Sequence, residues 1–76
     1  MPKLPSIRAR EVVRVALSIG FVLDRQKGSH AVYYRAADSR RVVIPMHWTK
    51  DLKPGTLRGI INDMGLTVDE FNAKLQ

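Results

Sequence analysis

The chain has 76 residues, 45% of them hydrophobic, and thirteen Lys and Arg against seven Asp and Glu give a net charge of +6. That composition describes one small ordered domain with little core to spare. The lack of cysteine excludes a disulfide framework, a thiol nucleophile and a Cys-type zinc site. The longest apolar segment, Val15 to Leu23, is broken by Ser18 and Gly20, so neither a signal peptide nor a membrane span is expected, and a cytoplasmic location is.

From Ser6, read as an N-cap, Val12, Val13, Ala16 and Leu17 recur at helical spacing while Arg8, Arg10, Glu11 and Arg14 lie off that stripe, which predicts an amphipathic helix. Gly20 suits a helix C-terminus, and Phe21 to Gln26 alternates as a strand does. Lys27-Gly28 reads as the turn into a second strand, Ser29 to Arg35, and a polar loop, Ala36 to Arg40, leads to a third, Arg41 to Met46. Pro45 places the end of that strand, or an edge, there, because proline cannot donate to the ladder. After a loop, Pro54 opens a helix with Leu57, Ile60, Ile61 and Met64 on one face and Gly65 at its end. Thr67 to Glu70 has the pattern of a capping box for a short terminal helix to about Leu75. The order predicts an α+β sandwich: helix, three-stranded antiparallel sheet, helix, short C-terminal helix, with the helices on one face of the sheet.

A two-residue loop at Lys27-Gly28 sets Arg25 opposite His30, Leu23 opposite Val32 and Phe21 opposite Tyr34. This row is the expected core face, with His30 at its rim. Val22, Asp24, Ala31, Tyr33 and Arg35 are expected on the open face, so Tyr34 is assigned to the core and Tyr33 to a surface where it can stack a base. A slip of one residue reverses all of these assignments.

The charge is uneven: residues 1 to 58 carry +8 and residues 59 to 76 carry −2. A polyanion such as nucleic acid is the partner such a field suits. Of the residues able to do chemistry, only His30 and His47 are imidazoles, and neither has carboxylates at metal-ligand spacing. In Gly28-Ser29-His30, the glycine admits a close ligand, the serine offers a hydroxyl and an amide, and the histidine exchanges protons near neutral pH. The residues alone leave two readings of His30 open: a rim side chain packed on Arg25, or a general acid or base. His47 is assigned to the surface or a cap by default: strand parity puts it on the face opposite Met46, so a mechanism that uses both histidines requires the backbone to turn after Pro45.

Gly20-Phe21, Arg25-Gln26-Lys27-Gly28-Ser29-His30, Val43-Ile44-Pro45-Met46-His47, Leu52-Lys53-Pro54-Gly55-Thr56-Leu57-Arg58 and Gly65-Leu66-Thr67, in that order, resemble the HicA family of mRNA interferase toxins from Leu4 to Phe71. Two positions depart from the pattern: Trp48, where a small or flexible residue is usual, and Gly59, where serine is. The resemblance implies a double-stranded-RNA-binding-domain-like fold for a single domain over residues 1 to 76. It further implies the toxin of a type II toxin–antitoxin system, an endoribonuclease acting on mRNA with His30 as catalytic residue and no cofactor or metal. A HicB-type antitoxin is the implied partner, with the toxin monomeric outside that complex.

Cleavage through the RNA 2′-hydroxyl needs a base, an acid and cations on the phosphorane. Arg25 and Lys27 beside His30 supply the cations, Gly28 and Ser29 approach the RNA, and Lys50 and Lys53 clamp it. Trp48 is assigned to antitoxin binding, with base stacking and covering the core end as its other uses. The alternative functions are a non-catalytic RNA-binding module of the same fold and a protein-interaction domain built on Trp48 and the sheet face.

Overall fold

A computed structural model describes residues 3–47 and 49–76. Its elements in chain order are α1 (Ala9–Ser18), β1 (Val22–Lys27), β2 (His30–Arg35), β3 (Arg40–Pro45), α2 (Pro54–Asp63) and α3 (Val68–Leu75). The strands form one antiparallel sheet in the order β1-β2-β3, and the α+β architecture is the one the sequence predicts. Among the described residues no helix is long and apolar enough to cross a membrane.

α1 begins later than expected. Arg8, not Ser6, is the N-cap, and its N–H donates to the Glu11 carboxylate at 3.0 Å. The buried stripe is Ala9, Val12, Val15 and Ala16, one step round from the predicted one. Leu17 is correspondingly 53% exposed. The chain leaves α1 through Gly20 at φ +98°, and the Phe21 N–H returns to the Ala16 carbonyl at 3.0 Å. Phe21 is therefore part of the helix exit, buried beneath Arg35, whose guanidinium carbon lies 4.6 Å from the ring centroid.

The predicted sheet faces are reversed. The loop between β1 and β2 is Gly28-Ser29, closed by Lys27 opposite His30, and the pairing continues through Gln26 with Ala31 and Arg25 with Val32. The register shifts between Leu23 and Arg25, where a bulge absorbs Asp24, and resumes as Leu23 with Tyr33 and Val22 with Tyr34. Moving the loop by one residue shifts the pairing by two and leaves the faces as they were; the extra residue at Asp24 reverses them, because it sets Leu23 opposite Tyr33 where the expectation set it opposite Val32. Ala31, Tyr33, Val42 and Ile44 lie in the core, with Tyr33 only 7% exposed. Val32 and Tyr34 are on the open side, the opposite of the expectation for both tyrosines.

α2 opens on Pro54 and buries Leu57, Ile60 and Ile61, and Met64 follows at its C-cap. The capping box of α3 is present in both directions: the Glu70 N–H donates to Thr67 Oγ1 at 3.1 Å, and the Thr67 N–H to Glu70 Oε1 at 2.8 Å. That fixes α3 so that Phe71 is fully buried, and Arg14 Nη2 donates to the Leu75 carbonyl at 2.9 Å, tying α3 back to α1. Both α1 and α2 pack against β3. β1, an edge strand with no such cover, is exposed along its whole length.

Candidate functional site at the hairpin tip and the β3–α2 loop

The site begins with a turn. Gly28 has φ +59°, and Gly at the first central position of a two-residue hairpin loop is the signature of a type II′ turn. A Cβ added there would meet nothing within 4 Å, so the glycine answers to backbone conformation and leaves the space above the tip open. Gln26 Nε2 donates to the Gly28 carbonyl at 3.2 Å across the turn. His30, the first residue of β2, is exposed, as are Lys27 and Gly28, while Ser29 is half-buried.

On its other side His30 is opposite Pro45, the last residue of β3. The Met46 N–H donates to the Ser29 carbonyl, so Ser29 and Met46 are the hydrogen-bonded pair and alternation leaves His30 and Pro45 a non-hydrogen-bonded one. Such pairs bring opposing residues closest, and the amide that Pro45 lacks would have pointed away from β2. Pro45 thus stands both at a strand end and on an edge, as the sequence predicts.

Beyond β3 the chain turns into the loop that reaches α2. The Lys50 N–H donates to the His47 carbonyl at 3.3 Å, and the Leu52 N–H to the Ile7 carbonyl at 2.9 Å. A bridge between Arg8 and Asp51 adds to this tie, with a 3.9 Å ion pair between their exposed side chains. Leu52 is buried and Lys53 forms the N-cap of α2. A cavity of about 380 Å³ opens here, and Pro45, His47, Lys50, Lys53 and Thr56 are among its lining residues. Lys50 and Lys53 are exposed, and cations on the wall of a concave site raise the local concentration of an anionic ligand.

The residues singled out from the sequence therefore fall into two groups that meet at one ladder pair. Lys27, Gly28, Ser29 and His30 make the hairpin tip, Lys50 and Lys53 border the cavity, and the pairing of His30 with Pro45 joins them. Arg25 stands two places along β1, opposite Val32, on the His30 face but away from the cavity. Trp48 lies outside the described residues. His47 and Thr56 were not assigned to the site from sequence; the continuation of Val43-Ile44-Pro45-Met46-His47 into a lysine-bearing loop was the available signal.

The open sheet face has its own character. Val22 and Val43 are exposed there, Arg41 sits over the Tyr34 ring at 4.7 Å, and Arg41 Nη1 pairs with Asp24 at 3.1 Å. Among the described residues, no three His, Asp or Glu side chains gather as metal ligands.

No curated protein matches the chain. The family model of the HicA toxin of bacterial toxin–antitoxin matches residues 9–66, which runs from the first residue of α1 past the end of α2 and takes in the whole hairpin tip, the β3 end and the cavity loop. With that match over more than half its length, the chain belongs to the HicA toxin family, whose members act in toxin–antitoxin systems and so have an antitoxin as partner.

Proposed function

We propose that this protein is the toxin of a type II system, an endoribonuclease that cuts mRNA in the cytoplasm without a metal. His30 is its catalytic residue and a HicB-type antitoxin blocks it. The observation that carries this reading is the placement of His30: exposed at a sheet corner, next to Lys27 on one side and opposite Pro45 on the other, a residue that also lines the cavity bordered by Lys50 and Lys53. Arrangements of this kind suit a phosphodiester, because imidazole transfers protons near neutral pH while flanking cations hold the phosphate and offset the charge that develops on it.

RNA carries its own nucleophile in the 2′-hydroxyl, so the protein has only to position the phosphate, move protons and stabilise the phosphorane. Lys27 and Arg25 line up beside His30 on its face of the sheet, and Gly28, without a side chain, lets the RNA backbone approach the tip. Ser29 keeps its hydroxyl for the same approach while its carbonyl is held by Met46. Lys50 and Lys53 hold the neighbouring phosphate. A +6 nuclease meets RNA wherever the cell keeps it, and an antitoxin that is acidic where it faces Lys27, Lys50 and Lys53 associates quickly and occludes His30. The test is cleavage of RNA by the purified chain beside its His30→Ala variant, with and without the co-expressed partner.

A further inference from the structure

We infer that His47 is the second proton-handling residue of this cleavage, paired with His30 across the end of the β2–β3 ladder; the inference rests on the nuclease reading above. The supporting observation is one of register. Directly opposite residues of an antiparallel pair share a face of the sheet, so Pro45 lies on the face of His30. The Met46 N–H bonds to the Ser29 carbonyl, extending the ladder one residue beyond β3, and Met46 is buried on the helix side. Parity then returns His47, exposed, to the face that carries His30. With the expected faces of β2 reversed, the argument that separated the two histidines disappears.

His47 is thus the diagonal neighbour of His30, two residues beyond its cross-strand partner. Residues so placed stand about 7–8 Å apart, which leaves room for one phosphate between two imidazoles. The charged groups around the pair complete the picture. Lys27 faces His30 from β1, and Lys50 and Lys53 share the cavity wall with His47. Asp51, also on that wall, is turned to Arg8 at 3.9 Å.

In the step this permits, one imidazole takes the 2′-hydroxyl proton as the 2′-oxygen bonds to phosphorus. The other, entering protonated, gives its proton to the 5′-oxygen as the bond from phosphorus to that oxygen breaks. The products are a 2′,3′-cyclic phosphate end and a 5′-hydroxyl end; no electrons change hands and no co-reactant is consumed. Since one histidine must be neutral and the other charged, the rate is bell-shaped in pH.

The experiment compares the full chain with His47→Gln and His47→Asn on a short single-stranded RNA, measuring kcat, Kd and the pH profile of each. Because His47 is exposed, both variants should melt as the parent does. The expected result is a kcat lowered by about 10²- to 10⁴-fold, RNA affinity little changed, and one limb of the bell lost. A variant with the parent's kcat, or with a reduced kcat and both limbs intact, overturns the assignment. If the parent and His47 variants cut RNA equally while His30→Ala does not, His47 alone is misassigned. If the parent leaves RNA uncut, the nuclease reading falls and the inference falls with it.

Discussion

The Arg35 guanidinium holds the Asp38 carboxylate at both oxygens, Nε to Oδ1 at 2.9 Å and Nη2 to Oδ2 at 2.7 Å. The same guanidinium donates through Nη1 to the Ile19 carbonyl at 2.9 Å and covers Phe21. One side chain thus fastens the β2–β3 loop to the exit of α1, at the end of the sheet away from His30.

Those hydrogen bonds, with the charge of Arg35 and a contact to Arg40, hold the Asp38 carboxyl at about 2, below the ordinary carboxylate value of 3.8. A carboxyl depressed in the folded state contributes stability that is complete above its unfolded pKa and lost as pH falls through the folded one. The contribution of Asp38 should therefore persist at neutral pH and fade between about pH 4 and pH 2. Thermal midpoints of the parent and Asp38→Asn should differ at neutral pH and converge over that window. A gap that stays constant down to acid pH would place the effect elsewhere than in this ionised pair.

Gly28 and Gly59 make opposite predictions from similar surroundings. Neither position has an atom within 4 Å of an added Cβ, so contact plays no part at either. Gly28 holds φ +59°, where an L side chain costs about 1–2 kcal/mol. Gly59 lies inside α2, where alanine is better by about 0.8–1 kcal/mol. Denaturant titration should show Gly28→Ala destabilised and Gly59→Ala stabilised. A Gly28→Ala as stable as the parent would refute the type II′ assignment of the hairpin tip.

RNA affinity should fall with salt along a log-log line whose slope is about −0.7 per phosphate neutralised on a single strand. Lys27→Ala and Lys53→Ala should each flatten that slope by about 0.7, whereas Lys74→Ala, in α3, should leave it unchanged. Equal effects at all three lysines would mean that net charge, and not the site, attracts the RNA.

The elements were legible because periodicity and caps agree with the packing. Pro54 at the first position of α2, its apolar face of Leu57, Ile60 and Ile61, and the Thr67–Glu70 box of α3 all stand where the sequence puts them. The sheet faces were not legible, because nothing in the sequence marks the bulge at Asp24 that sets Leu23 opposite Tyr33 and not opposite Val32. That one extra residue put Tyr33 on the side of the core and Tyr34 on the open side. Val22 and Leu23 added to the ambiguity: they are exposed on the uncovered edge strand and shifted by the bulge at Asp24, so β1 displays no buried alternation to read. Of the candidate site, the Gly-Ser-His tip could be read locally. The cavity could not, since it depends on the Ile7–Leu52 hydrogen bond and the Arg8–Asp51 bridge, contacts between segments far apart in the chain.

The most direct measurement is incubation of single-stranded RNA with the purified chain and with His30→Ala, each in the presence of chelator, followed by analysis of the product ends. His30 is exposed, so its variant should retain the parent's cooperative melting transition and isolate chemistry from folding. The account predicts cleavage by the parent alone, indifferent to chelator, leaving 2′,3′-cyclic phosphate and 5′-hydroxyl ends. Cleavage by a folded His30→Ala at the parent's rate, or cleavage by the parent that chelator abolishes, would contradict it.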